Sequence, residues 1–183
     1  MSQSAYCNTL PTSPFVNDLC PDETGGYIAC GFIKKDTYEN WVDLDDANEW
    51  ATAIAAENVY AINPVTGEFP GEEWNTLPGY GENEERNTSI NYTTTYMHPN
   101  VNEVTGGVYT NREFYNIMGK ASGSFYFYAV LGDYTGVVSD KVVNIKPKAP
   151  SRTRNENQEW EVEVVWKSQN MNTAFAANTN IYG

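Results

Sequence analysis

Alternating hydrophobic and polar positions along several segments of the chain predict β-strands. Between Thr88 and Tyr96, one face carries Ile, Tyr and Thr side chains and the other carries Asn and Thr. Between Glu159 and Trp166, Glu alternates with Trp and Val, so the glutamates are expected on one face. Continuous apolar runs predict more deeply buried strands. The predicted strands are 27–33, 59–62, 88–96, 124–130, 137–146 and 159–166.

Two segments carry the sequence signals of helices. Asp46 and Glu49 form an Asp version of the capping box, and the apolar spacing that follows predicts a helix ending near Asn58. A second capping box opens the segment Thr110–Gly119, which predicts a short helix closed by its final glycine.

This order of elements predicts a mainly β protein, a β-sandwich or half-barrel with one flanking helix plus a short helix. A single domain is expected over residues 25–168. Residues 1–24 contain three prolines and are expected to form an extended N-terminal arm, and residues 169–183 a polar C-terminal tail. Residues 63–86 contain three prolines, four glycines and six acidic residues, which predicts a long acidic loop.

Composition narrows the class of protein. The length of 183 residues fits one domain, and 14% aromatic residues exclude wholesale disorder. No window approaches about 18 apolar residues, so no transmembrane helix is expected, and the first ten residues lack the features of a secretory signal. Three cysteines, Cys7, Cys20 and Cys30, predict free thiols in a reducing compartment.

Charge is divided unevenly along the chain. Residues 1–85 contain 16 acidic and two basic residues, whereas residues 86–183 contain eight acidic and nine basic residues. The net charge of −13 argues against binding nucleic acid by phosphate neutralisation, which needs clustered Lys and Arg. Such a division predicts a surface that repels a polyanion or meets a basic partner.

No motif in the chain predicts catalysis, a metal site or a cofactor. His98, the only histidine, precedes a proline on a predicted loop and is expected to be solvated. The acidic run Asp43–Asp46 lacks the glycine and the closing glutamate of an EF-hand loop. The aromatic run Phe125–Tyr128 favours core packing over a carbohydrate platform, with alternation placing half of it in the core. We therefore expect no catalytic residue, no metal ligand and no cofactor.

Several sequence features occur in a recognisable order. They are Gly25-Gly26 before the first strand, a Pro-Val-x-Gly-Glu turn at 64–68, Gly79-Tyr80-Gly81 with Glu85-Arg86, a Thr-rich strand, an aromatic helix–strand unit, the run Pro147–Pro150, and a last strand of the form Trp-x-Val-x-Val-x-Trp. In this order the chain resembles phage virion proteins of the tail-tube type. The similarity is greatest to tube-like or neck-ring proteins of phages of Bacteroides-like hosts, the crAss-like group among them. It spans residues 25–168 and includes no catalytic signature.

The resemblance implies a tail-tube-like β-sandwich or half-barrel whose subunits pair strands side by side into a closed ring. Stacked rings of this kind form a conduit through which DNA passes without specific binding. The implied protein is a non-enzymatic structural subunit of the tail or neck, assembled in the host cytoplasm and located in the virion. Its implied partners are further copies of itself and neighbouring tail, neck or portal proteins, with no membrane. The N-terminal arm and the C-terminal tail lie outside the shared pattern and are candidates to clasp a neighbouring subunit.

Two sets of candidate site residues follow. A lumen in which DNA slides should repel phosphate, so acidic residues are candidates to face it, with a solvated exterior as the alternative. These residues are Glu72, Glu73, Glu82, Glu84, Glu85, Glu159, Glu161 and Glu163. The candidates for inter-subunit contact are Trp74, Tyr80, Lys146, Lys148, Arg152 and Arg154, and a contact of the basic loop with an acidic patch predicts salt-sensitive assembly.

Two other functions fit the same sequence. A head decoration, auxiliary or adaptor protein of the virion would trimerise or bind as a monomer instead of closing a ring. A glycan-binding β-sandwich module is the second alternative, and it would need Trp74 or Tyr80 for binding.

Overall fold

The computed structural model describes residues 26–63, 65–70, 73–79, 85–100, 111–132, 135–150 and 159–177. Within these ranges the chain forms ten β-strands and three α-helices, so the prediction of a mainly β protein is confirmed. The strands are β1 (Tyr27–Lys34), β2 (Val59–Ile62), β3 (Thr66–Gly67), β4 (Trp74–Pro78), β5 (Glu85–Pro99), β6 (Phe125–Leu131), β7 (Thr135–Val138), β8 (Asn144–Lys148), β9 (Glu159–Ser168) and β10 (Thr173–Ala176). The helices are α1 (Lys35–Glu39), α2 (Ala47–Ala55) and α3 (Asn111–Lys120).

The strands form two antiparallel sheets. The first sheet has the order β10-β7-β6-β1-β2, and the second has the order β3-β5-β9-β8 with β4 also paired to β5. Gly26, before β1, pairs with Glu68, after β3, in an isolated antiparallel bridge that joins the two sheets at one corner. The Tyr27 hydroxyl donates to Thr94 Oγ1, and the Thr94 hydroxyl donates to the Glu68 carbonyl at 2.8 Å. The result is a β-sandwich held together along this corner.

The main core lies between the two sheets. Alternation in β5 and β9 points every second side chain inward, which produces the buried pattern predicted for both strands. Tyr92 stacks on Trp166 with ring centres 4.8 Å apart, and Tyr96 stacks on Phe127 at 6.3 Å. Aromatic pairs of this kind contribute about 0.5–1.5 kcal/mol each beyond the area that they bury.

A second core lies on the outer face of the first sheet, beneath α2. Trp50 of α2 is fully buried, with its ring centre 5.0 Å from Tyr128 and 5.3 Å from Phe175. Along β6, the odd-numbered residues such as Phe127 face the second sheet and the even-numbered residues face α2. All of Phe125–Tyr128 is therefore buried, not half of it, because a helix covers the face that alternation alone would leave exposed.

The prediction of a loop throughout residues 63–86 is wrong. The segment contains β3, β4 and the start of β5, and β4 pairs antiparallel with β5 from Trp74 opposite Ile90 to Pro78 opposite Glu85. Proline is tolerated at the edge and the ends of a sheet, where no ladder donor is required. The proline and glycine content therefore marks the ends of short strands.

The predicted strand from Val137 to Lys146 is two strands in different sheets. The chain leaves the first sheet at Ser139, whose hydroxyl accepts from Phe127 N at 3.0 Å and donates to the Lys141 carbonyl at 2.9 Å. Val143 N still donates to the Phe125 carbonyl at 2.9 Å before β8 begins in the second sheet. A serine that replaces ladder hydrogen bonds allows the strand to bend between layers.

The prediction of a polar tail over residues 169–183 is wrong for Thr173–Ala176, which form β10 and pair with β7. Phe175 is buried in the second core, and Ala176 N donates to Asp45 Oδ1 at 2.8 Å. One buried ring and one distant carboxylate thus fix a segment of otherwise small and polar residues. The predicted arm, residues 1–24, lies outside the described residues.

The predicted flanking helix is confirmed as α2, with Asp46 as its N-cap. Asp46 Oδ1 accepts from Asn48 N at 2.8 Å, while the Glu49 carboxylate bonds the backbone N–H groups of Val42 and Asp43 instead of closing the capping box. In the described part of the chain, no helix is long and apolar enough to cross a membrane.

The short helix is confirmed as α3, although it continues one residue past Gly119. A Cβ at Gly119 would lie 3.3 Å from the Pro147 ring, so this glycine permits close packing of α3 on β8 and does not end the helix. Thr110, the predicted cap, lies outside the described residues. The helix α1 has no counterpart in the sequence-based prediction.

Candidate functional site

The outer face of the second sheet carries the predicted glutamate stripe. Glu159, Glu161 and Glu163 alternate along β9 with buried Trp and Val residues, so their side chains point away from the core, and each is partly exposed. Thr93 and Lys167 on the same face are exposed. This part of the predicted geometry follows directly from the period-two pattern of the strand.

Two of the three glutamates are paired with lysines of the adjacent edge strand. Lys146 lies opposite Glu163 and Lys148 opposite Glu161, with Nζ to carboxylate distances of 2.5 Å and 2.6 Å. Exposed pairs of this kind contribute only about 0–1 kcal/mol to stability, but they cancel charge locally. The sequence had predicted that Glu161 and Glu163 face a lumen and that Lys146 and Lys148 contact another subunit. Instead, these glutamates and lysines lie side by side on one face of the same chain.

A β-hairpin extends beyond the second sheet. Strand β5 pairs with β9 only from Ile90, opposite Ser168, so that Glu85–Ser89 pair with β4 alone. Trp74 packs its partly buried ring against the main core, whereas Leu77 near the far end is 48% exposed. We call β4 and the first part of β5 (residues 74–78 and 85–89) the β4–β5 hairpin, a two-stranded element anchored at only one end.

The remaining predicted site residues fall into two groups. Glu73 is exposed directly before β4, and Glu85 begins β5 opposite Pro78, so the backbone places an acidic residue at each end of β4. The other predicted residues lie outside the described residues, and their roles stay predictions. They are Glu72, Tyr80, Glu82, Glu84, Arg152 and Arg154.

Two of the sheet edges are capped by side chains, a feature that sequence reasoning missed. At the β8 edge, the Ser122 hydroxyl accepts from Ile145 N at 2.9 Å and donates to the Ile145 carbonyl at 3.1 Å. Two residues later, Pro147 has no N–H to offer. At the β10 edge, the Asp45 carboxylate accepts a hydrogen bond from the Ala176 N–H. Only the proline was visible in the sequence as a signal.

Strands β2 and β4 form edges that no described residue caps. Lys34 N donates to the Asn58 carbonyl at 2.9 Å, and this bond flanks the pair Ile33–Val59, which is therefore a non-hydrogen-bonded pair of the β1–β2 ladder. Hydrogen-bonded and non-hydrogen-bonded pairs alternate in an antiparallel ladder, so the N–H and C=O groups of Val59 and Ala61 point away from β1. Strand β4 pairs with β5 along one of its edges, and no described strand pairs with its opposite edge.

The sequence had predicted that His98 lies on a solvated loop, and this prediction is wrong. It lies on β5, partly buried, with Nδ1 hydrogen-bonded to the Tyr115 hydroxyl of α3 at 2.9 Å. Burial lowers the pKa of His98 below its ordinary value and raises the pKa of Tyr115. The pair therefore joins α3 to the second sheet as a neutral hydrogen bond.

We expect the pKa of His98 to lie below 6.5 in the folded protein. Because the neutral ring is favoured, its stabilising contribution is present above pH 6.5 and is lost as the pH falls through and below that value. The chain has one histidine, so an NMR titration of the imidazole C–H resonances measures this pKa without overlap. The urea-unfolded chain is the control and should titrate near 6.5; a folded value at or above that would contradict the burial argument.

The described residues include no group of three or more His, Cys, Asp or Glu side chains placed to hold a metal ion. In the acidic segment before α2, Asp43 Oδ1 accepts from Asp45 N, and Asp45 Oδ1 accepts from Ala176 N. These carboxylates thus cap backbone groups. Cys30 is a buried free thiol, as predicted, and burial raises its pKa, while Cys7 and Cys20 lie outside the described residues.

Comparisons of the chain with models of protein families, with curated proteins and with solved structures find no match. The resemblance to tail-tube-type proteins therefore rests on the sequence features alone.

Proposed function

We propose that the protein is a non-enzymatic structural subunit of a phage virion, which assembles with copies of itself into a ring of the tail or neck conduit for DNA. The observation that carries this proposal is that no described residue caps the edges of β2 and β4, whereas side chains cap the edges of β8 and β10. An exposed edge invites uncontrolled pairing unless it is covered, and ring closure covers every edge.

The β4–β5 hairpin supports the same proposal. A two-stranded hairpin is at best marginally stable in water when nothing packs on it. This hairpin extends beyond the second sheet and exposes Leu77, so a contact with another subunit would stabilise it.

The surface best suited to face DNA is the outer face of the second sheet. It presents Glu159, Glu161 and Glu163 together with Lys146, Lys148 and Lys167. The lysines that could hold phosphate are balanced by carboxylates, two of them in direct ion pairs. A balanced polar face lets a polyanion slide without a deep electrostatic minimum. The sequence-based prediction was an acidic surface that repels DNA. In this proposal the surface that faces DNA is nearly neutral instead.

Electron microscopy of the purified protein tests the proposal, with closed rings as the expected result. Reversing the basic loop with Arg152→Glu and Arg154→Glu should lower the fraction of protein in rings, and raising the salt concentration should do the same. The control is the double change Lys146→Glu with Glu163→Lys, which keeps the pair within one chain and should leave rings intact.

Each outcome of this experiment distinguishes a function. Trimers or monomers without rings would contradict the ring and favour a decoration or adaptor role. Rings unchanged by the Arg152 and Arg154 reversals would keep the ring but overturn the ionic contact. The glycan-binding alternative is weakened by Trp74, whose partly buried ring packs on the main core and so is not free to form a sugar platform.

A further inference from the structure

We propose that the open edge of β2 pairs with β4 of a second copy of the chain, and that the capped edges of β8 and β10 direct association to this one contact. The inference rests on the ring proposed above and specifies its interface. In this interface, the β2 edge of one subunit pairs with the β4 edge of an identical neighbouring subunit.

The first argument is elimination among the outer strands. The β8 edge is closed at Ile145 by the Ser122 hydroxyl and at Pro147 by the absence of an N–H. The β10 edge is closed at Ala176 by the Asp45 carboxylate. A strand approaching the β8 edge would meet groups that already have partners, and one approaching the β10 edge would meet the Asp45 carboxylate at Ala176. In the described part of the chain, β2 and β4 are the remaining edges of four or more residues. Strand β4 ends at Pro78, which also lacks an N–H, so residues 74–77 are the part of it open to pairing.

The second argument is the match between the two open strands. Strand β2 has four residues, and β4 has four before Pro78, with a register shift of the β4–β5 ladder between Asn75 and Thr76, so the two strands match in length. Val59 and Ala61 present the outward backbone groups of β2. Strand β4 lies on the protruding hairpin, which allows it to reach an edge on another subunit.

The third argument is complementary charge. Lys34 Nζ donates to Asn58 Oδ1 at 3.3 Å and lies 5.8 Å from the centre of the Tyr60 ring, which places a cation at the start of β2. Strand β4 is preceded by the exposed Glu73, while Arg86 and Glu85 lie opposite its last two residues and balance each other in charge, so the acidic end of β4 is its start. Lys34 and Lys35 are the only basic residues among the first 85, so the positive end of β2 stands out in an acidic half of the chain.

The proposed contact also determines the symmetry. Two different patches joined head to tail propagate from subunit to subunit, into a ring when the rotation closes and into a filament when it does not, whereas β2 paired with β2 would stop at a two-fold dimer. The capped edges prevent the branched association that a third open edge would permit.

Cross-linking between two differently tagged, co-expressed copies tests the pairing. One copy carries Ala61→Cys and the other carries Thr76→Cys, both in a Cys7→Ser, Cys20→Ser background that keeps the buried Cys30. A short bis-maleimide should join the two tags in assembled protein. The matched control replaces Ala61→Cys with Asn144→Cys on the capped β8 edge, which is exposed but should give no cross-link to Thr76→Cys.

A second variant probes the edge itself. Ala61→Pro removes an outward N–H, while the bonds from β2 to β1 made by its neighbours stay intact. It should reduce the ring fraction at least tenfold, whereas Ala61→Ser, which keeps the N–H, should not. Circular dichroism and thermal melting of both variants check that the subunit is folded.

The outcomes separate this inference from the proposed function. A cross-link between Ala61→Cys and Thr76→Cys, with Ala61→Pro subunits folded but unable to close rings, supports it. Rings that form without that cross-link, or with cross-links only between two Ala61→Cys copies or through Asn144→Cys, overturn the inference and leave the ring standing. Protein that forms no oligomer at all contradicts both.

Discussion

Replacing Trp50 with alanine is expected to lower the free energy of unfolding by about 3–5 kcal/mol, the usual range for deleting a buried aromatic ring. Trp50 is fully buried, stacks near Phe175 and contacts Tyr128. Its indole Nε1 donates to the Leu44 carbonyl at 2.8 Å, so the substitution also removes a partner from that carbonyl. Urea unfolding followed by tryptophan fluorescence and by circular dichroism measures the change.

The control for this prediction is Val42→Ala. Val42 is an apolar residue of the same region but is 87% exposed, and its truncation should change the free energy of unfolding by no more than about 0.5 kcal/mol. Equal losses in the two variants would show that α2 does not form a packed layer on the first sheet.

Gly31→Ala is expected to cost about 3 kcal/mol, at the upper end of the usual range for overpacking, because its new methyl group meets backbone. A Cβ at Gly31 would lie 2.2 Å from the Tyr60 carbonyl oxygen and 2.6 Å from Cε1 of Tyr128. Strand β2 must move away from β1 to relieve the first clash. The measurement is again the free energy of unfolding.

Gly26→Ala provides the matched control for Gly31→Ala. A Cβ at Gly26 would meet its nearest heavy atom, the Gly67 carbonyl oxygen, at 3.6 Å, which is an ordinary contact. This variant should unfold with nearly unchanged free energy. A Gly31→Ala protein as stable as Gly26→Ala would mean that β1 and β2 are not paired as described.

The strands that sequence reasoning located are those in which burial repeats along the segment. Strand β9 alternates because one face lies on the main core and the other faces solvent, and β1 and β6 are continuously apolar because both of their faces are covered. The helix α2 was visible through Asp46, since a capping side chain acts on its own neighbours in the chain. These are local causes, and a sequence displays them directly.

The elements that sequence reasoning missed depend on distant partners. Strand β10 is held by Phe175 against Trp50 and by Asp45 on the Ala176 N–H, neither of which is near it in the chain. The break between β7 and β8 depends on Ser139 bonding Phe127. Composition carries no trace of such contacts, because the type of a residue does not show which distant backbone group or side chain it will contact.

The candidate site was likewise predictable only in part. Alternation placed Glu161 and Glu163 on one face, but the pairing of β8 with β9 brings Lys148 and Lys146 to them. That register comes from tertiary structure. The capping of the β8 edge by Ser122 could not be predicted either, because the sequence around a serine in a turn does not show which strand its hydroxyl will bond.

The hydrogen bond from Ala176 to Asp45 has a consequence for biosynthesis. It joins residues 131 positions apart, and β10 is the last described strand, so the first sheet cannot be completed while the ribosome is still translating residues 173–176. Until then the free edge of β7 is available to other nascent chains. Contacts of such long range also fold slowly. Each chain should therefore pass through an aggregation-prone interval that lasts until residues 173–176 have left the ribosome and paired with β7, and a chaperone that holds the emerging chain would raise the yield.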